Sequence, residues 1–251
     1  MEWMSLLGFG ACVPDPSFRA GLPFPAFDIN RDAIPPLLRR RTSQATQIAF
    51  SAATVACSQA CRRPAALPSI FASVVGEIQT TDLLCIELAK PEGLISPSSF
   101  HNSVQNTASG YWSIAQQCIH PASALAAGCD TFAMALLEAW CQLACQGSEL
   151  LLVCYDETWP EYLAPGRGEP AFASALVLAA GVVEDSLLHI GRPHRGCKSE
   201  GFQPVLASLA AKMPVLGAMP LLSLATTGGD GQNVPISPAA SGWQVKVSTC
   251  V

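Results

Sequence analysis

The sequence predicts an α/β fold in which a mixed sheet carries helices on both faces. Half of the 251 residues are apolar and only 13% are charged, which is enough to bury a sizeable core. Short β-branched and apolar runs alternate with longer alanine-rich runs that have helical periodicity. Glycine and proline clusters separate these runs. We therefore expect one domain over residues 1–251.

The first third of the chain predicts two strands and two helices. An apolar run over 3–13 is typical of a buried strand, and residues 69–78 carry the β-branched and aromatic side chains of a second one. Ser43 is a suitable N-cap for an alanine-rich helix over 44–61. A second helix is predicted over 80–89, capped by its opening threonines and aspartate.

The middle of the chain predicts a helix–strand–helix–strand unit. Small residues favour a helix over 102–117, and a short buried strand follows at 122–127. A helix over 130–146 ends at Gly147, which suits a left-handed C-cap. Residues 149–155 then form a continuous apolar run that predicts a buried strand.

The remaining residues predict strands joined by loops. Residues 171–180 and 186–190 are interpreted as antiparallel neighbours, and alternation over 243–248 is typical of a closing strand. Residues 203–213 favour a helix, whereas glycine, proline and serine over 226–241 favour a loop.

Charge and hydropathy exclude several classes of protein. The net charge of −5 argues against a nucleic-acid binder. There is no uncharged apolar run of membrane-spanning length, and the first residues lack the basic leader of a signal peptide. We expect a cytoplasmic protein. Low charge together with a mean hydropathy of +0.32 also favours a surface that a partner covers.

The eleven cysteines do not follow a disulfide or metal pattern. Their number is odd and they are scattered through apolar segments, which favours buried free thiols in a reducing compartment. Cys57 and Cys61, like Cys141 and Cys145, are four residues apart without a second pair or histidines nearby. We therefore expect no metal site.

Four segments carry a family pattern: Pro35–Ser43, Ser103–Ile114, Ser123–Phe132 and Phe172–Leu178. They resemble the N-terminal half of the β-ketoacyl synthases and, more narrowly, the chain length factors of aryl polyene and polyketide pathways. The resemblance covers residues 1–195. Residues 196–251 are an unassigned extension that we expect to pack on the rest. The resemblance implies one N-terminal-type half of the thiolase-like fold.

The resemblance places the nucleophilic cysteine of the family at Cys129. Counting forward from Asn106 gives Cys129, whereas counting backward from Gly147 gives Asp130. Gly128 and Asp130 stand where the family usually has alanine and serine or threonine. An ionised Asp130 beside the sulfur would oppose a thiolate. Cys129 is therefore either a nucleophile or a small apolar residue at a strand-to-helix turn.

The family's condensation reaction also requires two polar groups, either two histidines or a histidine and an asparagine. In full-length relatives they come from the second half of the fold. The four histidines of this sequence are His101, His120, His189 and His194, and none lies in the family's motifs. The acidic pairs Asp156–Glu157 and Glu184–Asp185 are interpreted as surface turns at strand ends. We therefore expect a chain that is catalytically incomplete by itself and pairs with a full-length ketosynthase.

The resemblance implies two further roles. Arg39, Arg40 and Arg41 would bind an acyl carrier protein or its phosphopantetheine phosphate; the alternative is a solvated basic stretch. Tyr111 and Trp112 would plug or shape an acyl tunnel; the alternative for these two residues is ordinary helix packing. The residues implied in the acyl tunnel or the subunit interface are Asn106, Tyr111, Trp112, Leu125 and Phe132.

Three functions compete at this stage. The first is a chain length factor that closes the acyl tunnel of its ketosynthase partner. The second is an acyltransferase or condensing enzyme that depends on Cys129 and acts on carrier-protein thioesters. The third is a scaffold that holds carrier proteins. No cofactor is expected beyond contact with phosphopantetheine.

Overall fold

The computed structural model describes residues 1–163, 168–196, 209–210, 212–238 and 241–249, and a sheet of nine strands organises them. The spatial order is β3-β2-β4-β5-β1-β6-β9-β7, and β8 pairs with β9. The strands are β1 Trp3–Cys12, β2 Ser69–Ala72, β3 Ala122–Leu125, β4 Glu149–Asp156, β5 Phe172–Ala180, β6 Leu188–Gly191, β7 His194–Arg195, β8 Gly231–Pro235 and β9 Trp243–Ser248.

The sheet is mixed. β3, β2 and β4 are mutually parallel, and β5 is antiparallel to both β4 and β1. β6 pairs with the other side of β1, so β5 and β6 are separated by β1. The prediction that these two strands are neighbours was wrong, because the N-terminal strand inserts between them. β3 forms one edge of the sheet.

Helices cover both faces of the sheet, which confirms the α/β class. Ser43 caps α3 by accepting the Thr46 N–H at 3.1 Å, and Gly147 ends α7 with φ of 61°. The helices are α1 Pro16–Ala20, α2 Pro36–Arg39, α3 Gln44–Gln59, α4 Ile78–Leu88, α5 Pro97–Asn102, α6 Thr107–Gln116, α7 Thr131–Gln146 and α8 Met219–Thr227.

Three predicted elements differ from the structure. The helix expected over 102–117 is interrupted between α5 and α6, where the Thr107 hydroxyl donates to the Asn102 carbonyl at 3.1 Å. Such side-chain bonds compete with helix continuation. The strand expected over 69–78 ends at residue 72. The segment 226–241 contains β8, which gains its hydrogen bonds from β9 rather than from any local pattern. The helix predicted over 203–213 lies mostly outside the described residues.

Two hydrophobic cores lie on opposite faces of the sheet. The first lies between the sheet and α7, and the second lies between the sheet, α3 and α6. α3 approaches β1 so closely that a Cβ on Gly10 would lie 2.2 Å from the Ala52 carbonyl oxygen. A Cβ on Gly8 would lie 2.6 Å from the Ala60 nitrogen. The glycines therefore allow the backbone contact that fixes α3 on the sheet.

The C-terminal residues that the structure describes complete the first core. A 3₁₀ helix at Pro214–Ala218 packs against α7 and leads into α8. Val215, Leu216 and Leu222 are fully buried there. β8 and β9 extend the sheet beyond β6. None of the described helices has the length and apolar character needed to cross a membrane.

Candidate functional site

Three parallel strands end at the same edge of the sheet, and polar groups follow each of them. Cys129 follows β3, a loop from Ser73 to Glu77 follows β2, and Asp156 and Glu157 end β4. A cavity of about 120 Å³ lies at this edge. Its described lining is Val74, Gly128, Cys129, Asp156, Glu157, Trp159, Glu169, Lys212, Met213 and Pro214.

Cys129 lies in a 3₁₀ turn, Gly128–Asp130, immediately before α7. Its side chain is exposed. Gly128 has a φ of 55°, a left-handed conformation that suits glycine. Thr131 fixes the turn, since its hydroxyl accepts the Ala127 N–H at 3.1 Å and donates to the Gly128 carbonyl at 2.8 Å. The turn holds the thiol at the rim of the cavity, at the start of a 16-residue helix.

Asp130 is hydrogen-bonded to the C-terminal segment. The hydroxyls of Ser237 and Ser241 both donate to its Oδ1, each at 2.6 Å. These two bonds satisfy much of the hydrogen-bonding capacity of the carboxylate. Ser237 and Ser241 therefore hold the turn that carries Cys129 in place through their hydrogen bonds to Asp130.

Asp156 and Glu157 are buried, so the interpretation of this pair as a surface turn was wrong. Asp156 accepts the Ser73 hydroxyl at 2.6 Å and the Val74 N–H at 3.0 Å. Glu157 accepts the Gln79 N–H at 2.9 Å in the first turn of α4. Burial raises the pKa of each carboxyl group to about 7, although the hydrogen bonds oppose the shift.

A third carboxyl group, that of Glu77, lies close to this pair. It accepts the Thr46 hydroxyl at 2.7 Å, and burial raises its pKa. Its charge in turn raises the pKa of Glu157. The sequence contains one signal for this arrangement, which is that acidic residues directly follow β4 in the same way that Cys129 follows β3. The location of Glu77 depends on the loop after β2 and has no such signal.

Tyr111 and Trp112 face the chain's own second core. Trp112 is fully buried and meets Phe50 edge-to-face, with ring centroids 5.1 Å apart. The Tyr111 hydroxyl donates to the Asn102 Oδ1 at 2.7 Å. Asn106 is exposed at the N-terminal end of α6. The outward side of α6 instead carries Asn106, Gly110 and Ile114.

Leu125 and Phe132 are not adjacent to the Tyr111–Trp112 pair. Leu125 is half-buried on β3, and Phe132 is buried in α7. Both pack in the first core, whereas Trp112 packs in the second. The sheet thus separates the residues that the resemblance groups into one tunnel or interface.

The three consecutive arginines differ in their surroundings. Arg39 is half-buried and its guanidinium contacts the Asp32 carboxylate at 3.3 Å. Arg40 and Arg41 are exposed. The Arg41 carbonyl accepts the Asn102 amide at 2.6 Å, which joins this segment to α5. Arg40 and Arg41 are therefore the more accessible cations.

β3 is an edge strand, and exposed apolar side chains are concentrated in the segment of the chain that precedes it. β3 pairs on one side with β2, and within the described residues no strand pairs with its other side. Ile114 and Ile119, which both precede β3 in sequence, are 65% and 96% exposed. More than half of the exposed large apolar side chains in the described ranges lie between residues 83 and 119. They are Leu83, Ile86, Leu88, Leu94, Phe100, Val104, Ile114 and Ile119.

The histidines lie away from Cys129. The His101 ring meets that of Tyr111 edge-on at 6.2 Å, and the Nδ1 of His189 lies 3.1 Å from the Ser5 hydroxyl. Burial lowers the pKa of His189. His120 precedes β3 and His194 lies in β7. None of the four belongs to the described lining of the Cys129 cavity.

The layered half-fold and the cysteine at a strand-to-helix turn define a condensing-enzyme-like protein of the thiolase-like fold. The chain belongs to the β-ketoacyl synthase family, since residues 17–202 match the family described as "Beta-ketoacyl synthase, N-terminal domain". Among curated proteins, no sequence matches the chain.

Solved structures share the fold at low sequence identity. One is a chain of the complex of a ketosynthase (ApeO) with its chain length factor (ApeC) from Xenorhabdus doucetiae, with 20% identity and a TM-score of 0.68. That match covers 99% of this chain and 100% of the other. A β-ketoacyl synthase from Burkholderia phymatum has 15% identity and a TM-score of 0.60, covering 89% and 70% of the two chains. The ishigamide ketosynthase/chain length factor has 16% identity and a TM-score of 0.56, covering 75% and 65%.

Proposed function

We propose that this chain is a chain length factor that pairs with a full-length β-ketoacyl synthase and shapes its acyl tunnel. The observation that carries the proposal is the edge of β3 that no described strand pairs with, together with the exposed apolar side chains of the segment that precedes β3 in sequence. An exposed strand edge readily pairs with another strand, and a large apolar patch is typical of a protein interface. The end-to-end match with a chain of a ketosynthase–chain length factor complex supports this assignment.

In this proposal β3 pairs with the equivalent strand of the ketosynthase, and α6 lies beside the tunnel of the partner. Gly110 has open space around its Cα, and Ile114 lies one turn further along the same side. These two residues would contact the acyl chain directly. Tyr111 and Trp112 would not contact the acyl chain. They would affect the tunnel indirectly, because their packing against α3 and α5 sets the position of α6. A pocket wall of this kind distinguishes acyl chains that differ by one methylene by roughly 1–3 kcal/mol of binding free energy.

The placement of the polar groups supports a non-catalytic role. Decarboxylative condensation needs histidine or asparagine donors beside the thiolate, and the described cavity wall at Cys129 has neither. The partner would supply the chemistry. Arg40 and Arg41 would receive the carrier protein, because exposed arginines bind phosphate and carboxylate groups through paired N–H donors.

The test is the product distribution of the reconstituted pair. The chain is co-expressed with the ketosynthase of its pathway and carrier protein, and the acyl products are measured by mass spectrometry. Gly110→Val should shorten the product and Ile114→Ala should lengthen it. Val182→Ala, at an exposed site in the turn between β5 and β6, is the control. Unchanged product lengths in an intact complex would contradict the tunnel role.

A second candidate function is acyl transfer through Cys129, and the buried pair Asp156–Glu157 is the observation that favours it. Both carboxyl groups line the same cavity as Cys129, and a carboxyl group with a pKa of about 7 suits proton transfer near neutral pH. A thioester-forming acyl probe tests this function. Labelling that is lost in Cys129→Ala and slowed in Glu157→Gln supports it, and equal labelling of Cys129→Ala refutes it.

A further inference from the structure

The side chain of Asn102 joins two segments of the chain that are far apart in sequence. Asn102 is the last residue of α5 and is buried. Its Nδ2 donates to the Arg41 carbonyl oxygen at 2.6 Å, and its Oδ1 accepts the Tyr111 hydroxyl at 2.7 Å. Its backbone carbonyl also accepts the Thr107 hydroxyl at 3.1 Å. One residue therefore holds both the first turns of α6 and the arginine segment, which we define as Arg39–Arg41.

An asparagine suits this position because its amide carries a donor and an acceptor on neighbouring atoms. Tyr111 is only 7% exposed, so its hydroxyl is shielded from water and needs a partner within the protein. Asn102 supplies that partner and binds the Arg41 carbonyl with the same amide. An aliphatic side chain at residue 102 would satisfy neither group. The residue type is therefore matched to both of its contacts.

The first contact of Asn102 acts on the buried side of α6. Tyr111 and Trp112 are buried, whereas Gly110 and Ile114 on the same helix are exposed. Backbone hydrogen bonds along the helix keep these four residues in fixed relative positions. A change in the bond between Tyr111 and Asn102 therefore also changes where the exposed residues lie. In the proposed function, Gly110 and Ile114 contact the acyl chain, so this bond affects the wall of the tunnel.

The second contact of Asn102 acts on the backbone of the arginine segment. Arg40 and Arg41 are exposed, and the carbonyl of Arg41 accepts the amide of Asn102. The next residue, Thr42, is held by α3, since the Gln47 Nε2 donates to its carbonyl oxygen at 3.0 Å. The segment is therefore attached to α3 and to α5. A fixed backbone limits the conformational entropy that the exposed arginines lose when they bind a partner.

We propose that Asn102 is a specificity-determining residue, because it positions both the arginine segment that receives the carrier protein and the helix that borders the acyl tunnel. The inference rests on the proposed function as a chain length factor. The two partners of the amide belong to these two surfaces. Removing the amide should therefore change carrier-protein affinity and product length together. Removing only the Tyr111 hydroxyl should change product length alone.

The test uses the full chain reconstituted with the ketosynthase and the acyl carrier protein of its pathway. KM for the carrier protein and kcat of the first condensation are measured separately, and mass spectrometry gives the product lengths. We expect Asn102→Ala to raise KM about fivefold with kcat unchanged, and to raise the ratio of longer to normal products about fivefold, the effect of one neutral hydrogen bond in each case. Tyr111→Phe, which keeps the ring and loses only the hydroxyl, should give the same change in product length with KM unchanged.

Asn233→Ala, at a half-buried asparagine of β8, is the matched control and should behave as wild type. Circular dichroism and native mass spectrometry check that each variant folds and assembles, and Tyr111→Phe keeps the inference testable if Asn102→Ala does not fold.

Three results would overturn the inference. They are an unchanged KM or product length in Asn102→Ala, an unchanged product length in Tyr111→Phe, and a KM that rises in Tyr111→Phe. Gly110→Val and Arg40→Ala act on the tunnel and on the docking segment directly, so they serve as reference variants. If both leave the reaction unchanged, the proposed function is refuted and the inference with it. If both alter the reaction while Asn102→Ala behaves as wild type, the inference alone is refuted.

Discussion

Replacing Trp112 by alanine tests whether this residue belongs to the chain's own core. Trp112 is fully buried between α6 and the sheet, edge-to-face with Phe50 and tilted against Phe71 at 6.2 Å. Removing a buried tryptophan costs about 3–5 kcal/mol through lost transfer free energy and the cavity that remains. The two ring contacts place the expected loss toward the upper end of that range.

Urea denaturation followed by circular dichroism measures this loss. Ile114→Ala is the matched control, because Ile114 lies on the same helix and is 65% exposed. We expect it to change the free energy of unfolding by less than about 0.5 kcal/mol. A loss below about 1 kcal/mol for Trp112→Ala would refute the packing argument. It would imply that the Trp112 side chain does not pack in the core of the isolated chain.

Two further predictions concern stability. Gly10→Ala should destabilise the fold by about 1–3 kcal/mol or more, because its Cβ would lie 2.2 Å from the Ala52 carbonyl oxygen; thermal unfolding equal to wild type would contradict the close contact. The buried carboxyl groups of Asp156 and Glu157 have pKa values raised from 3.8 and 4.5 to about 7, so their contribution to stability is fully present below pH 3.8 and is lost as pH rises through 7. The double variant Asp156→Asn, Glu157→Gln should therefore lose less stability than wild type between pH 5 and pH 8 in urea titrations, and an identical pH dependence would show that the two groups do not titrate in this range.

The strand–turn–helix at Cys129 could be predicted from the sequence because its determinants are local. A short apolar run, a glycine able to adopt positive φ, and a long amphipathic helix with a terminal glycine all lie within about 25 residues. The same holds for α3, whose cap and alanine-rich pattern are contiguous. The residues within each of these elements are enough to predict it, and the alternation of strands and helices along the chain predicts the fold class.

The remaining features depended on distant contacts. Asp156 and Glu157 have the composition of a surface turn, and they are buried because the loop after β2 and the start of α4 supply their hydrogen-bond donors. β5 and β6 are separated by β1, which is distant in sequence. The sequence around Trp112 fits a residue at a subunit interface as well as it fits a residue in the core. Only the contacts of Trp112 with Phe50 and Phe71 show that it faces the core.

The mass of the complex formed with a ketosynthase tests the central claim most directly. The chain and the full-length ketosynthase of its pathway are co-expressed and examined by native mass spectrometry. The proposal predicts a complex with equal numbers of the two chains. It also predicts that Ile119→Asp, which places a charge on a 96% exposed residue just before β3, dissociates that complex. A chain that remains a stable monomer in the presence of the ketosynthase, or a complex that Ile119→Asp leaves intact, would contradict it.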